Sequence, residues 1–255
     1  MTIAGRRYRL ALAVVGCLAL SSCTTVTDGT VRPAEGLPLG PLNGAALEEV
    51  LPTENQIAEI LGDRLGPDPT EPVMSGEVSD MPDGLSSDAE ASPHECVGAT
   101  APLQRSIYEG TSMTDFTSYD WELPDSDNGD VLGTTTGVAA FPSAAAANDV
   151  FEDFVKHWEA CDGTVVELPT VDGDEYFTDT ITDVRVENSV VSADLATAKP
   201  SESIEWPRLR AIGVRANCLV EVDVSFFGGD SPPPGLEDAA IELAHLMMDR
   251  IAEVG

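Results

Sequence analysis

The sequence predicts an α+β fold, a single domain built on an antiparallel β-sheet with flanking helices. Several segments between residues 105 and 226 alternate apolar and polar side chains, the pattern of strands with one buried face. Segments with apolar residues at helical spacing precede, interrupt and follow these strands. Strands in series with helices before, between and after them are typical of this fold class.

The N-terminus has the features of an export signal. Arg6, Arg7 and Arg9 form a positive region, and no acidic residue precedes Asp28. The apolar run from Leu10 to Leu20 is too short to cross a bilayer, which needs roughly 20 residues. Residues 1–22 are therefore predicted to be a signal peptide.

The end of this signal, Leu20-Ser21-Ser22-Cys23, resembles a bacterial lipobox. The resemblance implies that the thiol of Cys23 is acylated and that cleavage leaves Cys23 as the first residue. Two acyl chains hold a soluble domain on a bilayer where one would not. The expected location is the extracytoplasmic face of the cell membrane, with the lipid as the link to that membrane. The alternative is an ordinary secretory signal cut near Ser22, with Cys23 an unmodified thiol.

Charge excludes one class of partner. Removal of residues 1–22 takes away three arginines and no acid, so ten basic residues face 45 acidic ones, a net charge of about −35. Nucleic-acid phosphates repel such a chain, so no nucleic-acid partner is expected. Electrostatic adhesion to anionic headgroups is disfavoured for the same reason.

Three segments divide the chain. Residues 1–22 are the signal peptide, residues 23–45 the lipidated N-terminus and a tether rich in Thr, Gly and Pro, and residues 46–255 the domain. The domain begins with a helix that Thr53 and Gln56 introduce as a capping box. Residues 66–95 hold eight acids, several prolines and no Lys or Arg, which predicts a solvated loop or disordered excursion.

The remaining elements follow from periodicity. Asn128-Gly129 predicts a turn, and Asn217 the bend of a hairpin whose second strand buries Val220, Val222 and Val224. A helix from Ser143 to Ala160 buries a stripe that includes Phe154 and Trp158. The other predicted segments are short strands within 105–141, strands at 164–169, 174–187 and 189–198, and a helix at 236–252.

Four motifs, in order, resemble the PknH-like extracellular sensor domain, which occurs on a mycobacterial serine/threonine kinase and in actinobacterial lipoproteins. They are Leu-Pro and Leu-Gly around the first helix, Cys96-Val97-Gly98, the Phe-Pro-Ser start of an alanine-rich helix that ends in Trp158-x-x-Cys161-x-Gly163, and Arg-Ala-Ile turning at Asn217 into Val-Glu-Val-Asp-Val. The resemblance covers roughly residues 46–254.

The resemblance implies a large cleft for an unidentified small-molecule or cell-envelope ligand. It also implies a disulfide between Cys96 and Cys161. A second family bridge has no counterpart here, since its cysteines fall near Arg208 and Phe227. Cys218 is then left over, and strand parity places it on the valine face as a buried free thiol. A Cys161–Cys218 bridge and an intermolecular bridge are the alternatives.

Catalytic motifs are absent from the sequence, and no catalytic residue, metal site or cofactor is predicted. His94, His157 and His245 lie in different elements without metal-ligand spacing. Trp121 and Trp206 are the candidates for lining a ligand cleft, with core or rim packing as the alternative. The sequence therefore favours a binding or sensing module. Two other classes stay open: an envelope hydrolase or accessory enzyme with a site assembled from scattered residues, and a structural or protein-partner module.

Overall fold

The computed structural model describes residues 40–68, 73–124, 129–169, 176–201 and 204–255. Outside these ranges lie the predicted signal peptide and most of the tether, including Cys23. Residues 125–128, which include Asn128 of the predicted turn, also lie outside them. The described residues from 40 to 255 belong to one compact unit. No described helix is both long and apolar enough to span a bilayer.

Helices precede, interrupt and follow the strands along the described chain, as the sequence predicts. The helices are α1 (Glu54–Leu61), α2 (Val97–Thr100), α3 (Arg105–Tyr108), α4 (Ala144–Cys161) and α5 (Ala239–Val254). The strands are β1 (Gly66–Pro67), β2 (Met74–Gly76), β3 (Asp115–Glu122), β4 (Val131–Ala140), β5 (Val165–Pro169), β6 (Tyr176–Glu187), β7 (Val190–Lys199), β8 (Ile204–Arg215) and β9 (Cys218–Phe226).

All strands join one antiparallel sheet in the order β1-β3-β4-β9-β8-β7-β6-β5, with β2 also paired to β3. The β8–β9 hairpin lies at the centre, and Arg215 pairs with Cys218 next to its turn. The Asn217 amide donates to the carbonyls of Leu42 and Phe141, while its oxygen accepts from the Leu42 N–H. Leu42 is buried, so the last residues of the predicted tether pack on the domain.

Helices cover both faces of this sheet. On one face α1 and α5 pack against Val220, Val222 and Val224, the residues predicted to be core, together with Cys218. On the other face α2 and α4 pack against Phe116, Leu219 and Ile212 among others. Helix α4 turns Phe151, Phe154 and Trp158 inward, and the Ser143 hydroxyl caps it by accepting the Ala146 N–H at 3.2 Å.

Two expectations need correction. The described part of the acidic segment 66–95 is not a simple solvated excursion, because it contributes β1 and β2 to the sheet and buries Met81 and Ala91. Arg105 lies outside the segment and holds it, donating to the Asp83 carboxylate at 2.5 Å and to the Met81 carbonyl at 2.9 Å. The stretch 105–141 also does not begin as a strand, since residues 105–108 form α3.

Candidate functional site

A cavity with a mostly apolar lining lies between α4 and the segment that contains α2 and α3. We call it the helical cleft; its volume is ≈ 280 Å³. Its apolar lining comes from both walls and comprises Gly98, Ala99, Ile107, Val150, Phe154, Trp158 and Cys161. Its polar lining comprises His94, Glu95, Ser106, Thr111, Asp153 and His157. A mostly apolar concavity with a few convergent polar groups is the usual form of a small-molecule site.

Helix α4 supplies one wall at helical spacing. Val150, Asp153, His157 and Cys161 follow one another at three- or four-residue intervals, so they share one side of the helix. Phe154 and Trp158 each follow one of these residues by one position in α4. They reach from this wall into the core and are 6% and 1% exposed. The cleft therefore has a rigid aromatic floor and a polar rim.

A disulfide joins the two walls. Cys96, just before α2, is bonded to Cys161 at the end of α4, with a Cα–Cα distance of 5.7 Å. This is the bridge that the family resemblance implies. Cys161 itself lines the helical cleft. The bridge thus fixes the separation of the walls at one end.

A buried ionic cluster fixes the same walls from below. We define it as Arg208, Arg210, Glu221, Asp223 and Asp179, which lie on the sheet face beneath α2 and α4. Arg210 is fully buried and donates to the Glu221 carboxylate at 2.8 Å and to the Gly98 carbonyl at 3.2 Å. Its guanidinium lies 5.5 Å from the centroid of the Trp158 ring. One side chain therefore supports residues on both walls of the cleft.

The other members complete the cluster. Arg208 donates to Asp223 at 2.6 Å, to Asp179 at 3.1 Å and to the Thr100 carbonyl, the last residue of α2, at 2.8 Å. Charges this deeply buried require such pairing, because each loses its hydration. Arg208 is held as a permanent cation: burial acts to lower its pKa, but Asp223 and Asp179 raise it above the ordinary value.

Tyr108 links α3 to this cluster. Its hydroxyl donates to Glu221 at 2.5 Å, and the ring lies 5.7 Å from that of Phe154. Burial, followed by the adjacent Glu221 carboxylate, raises the pKa of Tyr108 well above its ordinary value. The phenol consequently remains a hydrogen-bond donor. It links α3, in the wall opposite α4, to the sheet.

The two tryptophans singled out in the sequence lie elsewhere. Trp121 is 9% exposed and contacts Tyr119, with the ring centroids 4.4 Å apart. It borders a separate groove of ≈ 290 Å³ with Asp120 and Asp223. Trp206 is half-buried and contacts Phe177, with ring centroids 6.1 Å apart. The structure does not bring them together at the helical cleft, and their role in ligand binding stays a prediction. Trp158, interpreted from the sequence as a core residue, is at once core and cleft floor.

The histidines show no catalytic pairing. His157 Nδ1 contacts the carbonyl oxygen of its own helix neighbour Asp153 at 2.7 Å, and His94 Nε2 contacts the Leu85 carbonyl at 3.1 Å. Among the described residues, no hydrogen bond joins a Ser or Asp side chain to His157 or His245. The arrangement therefore lends no support to the hydrolase alternative. His157 was not among the residues that the sequence indicated for a cleft; its spacing from Val150 and Cys161 along α4 was the available signal.

The third described cysteine, Cys218, is unreactive. Cys218 is a free, fully buried thiol on the valine face of β9. Burial raises its pKa to about 12, so the unreactive thiol form prevails at neutral pH. Among the described residues, no group of three or more His, Cys, Asp or Glu side chains is arranged to hold a metal ion.

Comparison with known proteins identifies the family. The family model described as the PknH-like extracellular domain matches residues 42–250. The crystal structure of the extracellular domain of PknH from Mycobacterium tuberculosis has a TM-score of 0.68 and 19% identity, covering 84% of this chain and 98% of that one. An uncharacterised protein from Mycobacterium smegmatis has a TM-score of only 0.34 at 10% identity, covering 78% of this chain and 96% of that one. No curated protein matches the sequence. The chain therefore belongs to the PknH-like extracellular domain family and has its extracytoplasmic, sensor-like domain of helices on an antiparallel sheet.

Proposed function

We propose that the protein is a lipid-anchored binding protein of the outer face of the cell membrane and that the helical cleft is its ligand site. The observation that carries the binding function is the cleft itself, an apolar cavity of ≈ 280 Å³ whose walls are fixed before any ligand arrives. A preformed site avoids the entropic cost of ordering its walls on binding. The disulfide and the buried ionic cluster supply that rigidity.

The anchor is proposed from the sequence of the N-terminus. Residues 1–22 direct export, Cys23 carries the acyl chains, and residues 23–45 connect them to the domain of residues 46–255. The strongly negative domain gains little from headgroup attraction, so the lipid supplies the membrane affinity. The ligand reaches the cleft from the envelope space, which suits a small-molecule or cell-envelope component.

The anchor has a direct test. Mass spectrometry of the protein from its native membrane is expected to show a chain that begins at an acylated Cys23. Cys23→Ala is expected to move the protein from the membrane fraction to the soluble fraction. Cys218→Ala serves as the matched control and should stay in the membrane. An unmodified thiol at Cys23 in the mature protein would rule out the lipid anchor.

The binding function has a separate test. Val150→Trp places a large ring in the cleft from a half-buried position on α4. Val155→Trp is the matched control, since Val155 is also half-buried on α4 but does not line the cleft. Native mass spectrometry of protein from its own membranes is expected to detect a bound small molecule in the wild type and in Val155→Trp. Val150→Trp should lose at least about 90% of it, because its ring occupies the ligand volume. Equal occupancy in both variants would place the ligand elsewhere.

A further inference from the structure

The polar side chains that line the helical cleft share one property: each presents a hydrogen-bond acceptor. Glu95 and Asp153 are exposed carboxylates on opposite walls, and a carboxylate has no donor. Lys156 engages Asp153 through Oδ1 at 3.0 Å and leaves Oδ2 as an acceptor. Lys156 is not itself part of the lining, and the described lining contains no Lys or Arg.

The two histidines follow the same rule. The Nδ1 atom of His157 and the Nε2 atom of His94 each face a backbone carbonyl, which can only accept. The ring nitrogen that faces a carbonyl must therefore carry the proton. In the neutral imidazole the other ring nitrogen, Nε2 of His157 and Nδ1 of His94, is then an acceptor.

The two hydroxyl groups complete the set. Ser106 donates to the Leu85 carbonyl at 2.8 Å, and Thr111 donates to the Tyr108 carbonyl at 2.7 Å. Each hydroxyl has one proton, which these bonds use, so only lone pairs remain for an occupant. Thr111 also accepts the Met113 N–H at 3.3 Å and keeps one lone pair. With both imidazoles neutral, each of the six polar side chains of the lining therefore has an acceptor available to an occupant.

We infer that the helical cleft takes a small cationic amphiphile, whose apolar part lies against Phe154 and Trp158 and whose ammonium or similar donor-bearing cation lies at the rim beside Glu95 and Asp153. The inference rests on the proposed function of the cleft. Amphiphiles that end in carboxylate or phosphate are disfavoured, since they would bring further acceptors and negative charge to this rim. The net charge of about −35 that remains after removal of residues 1–22 acts in the same direction by attracting cations.

The test compares three probes of equal chain length: hexylammonium, hexanol and hexanoate. The whole mature chain with Cys23→Ala is used so that no detergent competes for the probes. The readout is the indole N–H resonances of Trp121, Trp158 and Trp206, assigned by single Trp→Phe substitutions. Salt at 0.15 M screens general attraction to the acidic surface.

The Trp158 resonance is expected to shift saturably. Hexylammonium should bind about tenfold more tightly than hexanoate, and the affinity of hexanol should lie between the two. A tenfold ratio is the effect of one or two partly solvated charge pairs. Trp121 and Trp206 should not move. Glu95→Gln should reduce the preference for hexylammonium several-fold. Glu152→Gln, with the same charge change at an exposed α4 position outside the cleft, should preserve it.

The remaining outcomes separate the inference from the proposed function. Saturable Trp158 shifts with hexanoate bound as tightly as hexylammonium would overturn the ligand class but leave the cleft as a binding site. Equal loss of preference in Glu95→Gln and Glu152→Gln would assign the selectivity to net charge and overturn the role of the rim. A Trp158 resonance unmoved by all three probes would overturn both the inference and the assignment of the cleft.

Discussion

Arg210→Met is expected to lower the free energy of unfolding by about 3–5 kcal/mol, the range measured when one partner of a buried ion pair is removed. Methionine approximately fills the volume but leaves Glu221, which is 1% exposed, without its cation. The substitution also removes the bond to the Gly98 carbonyl and the cation above Trp158. Chemical denaturation in urea, monitored by circular dichroism, measures the loss.

Two further variants make this prediction specific. Arg185→Met removes a guanidinium that is 27% exposed and paired with Asp194 and Asp238 at the surface, so it should cost less than about 1 kcal/mol. Arg210→Met combined with Glu221→Gln should recover part of the loss, because the orphaned charge is then absent. Equal destabilisation by Arg210→Met and Arg185→Met would show that the buried cluster is not a principal support of the domain.

Loss of the disulfide is the second large effect. Replacing both Cys96 and Cys161 by alanine is expected to destabilise the domain by about 4 kcal/mol, the loop-entropy value for a bridge of this sequence separation. The bridge spans 65 residues and joins the two walls of the helical cleft. We therefore expect binding in the cleft to weaken along with stability, which urea titrations and the Trp158 resonance would measure together.

Reduction provides the control for this prediction. Dithiothreitol should destabilise the wild type to the level of the double alanine variant and leave that variant unchanged. Cys218→Ala should keep the full response to dithiothreitol, because Cys218 forms no bridge. A wild type whose urea midpoint does not respond to reduction would contradict the stabilising role of the Cys96–Cys161 bond.

Periodicity predicted the central hairpin and the burial of one face of its second strand, but not the burial of the opposite face. The alternation Val-Glu-Val-Asp-Val identified the valine face as core, and the structure confirms it. The same alternation is usually the mark of a strand with one wetted face. Here Glu221 and Asp223 are also buried, because α2 and α4 cover the opposite side and two arginines from β8 neutralise the acids.

Composition was a weaker guide in the acidic segment 66–95. Its acids and prolines correctly indicated irregular structure, yet described parts of it pair with β3 and bury Met81. The cation that holds it, Arg105, belongs to the next segment of the chain. A prediction confined to the segment itself had no access to this contact.

The sequence by itself determined the strands from β3 onward, the three longer helices, the caps of α1 and α4, the turn at Asn217 and the family, since each depends on residues close together in the chain or on motifs in a fixed order. Only the tertiary structure decided which polar side chains are buried and where the cleft lies. The bonds that decide it join Arg210 to Gly98 across 112 positions and Tyr108 to Glu221 across 113. Local periodicity records which side chains share a face of one element, whereas the burial of a charge depends on partners that the fold brings from elsewhere.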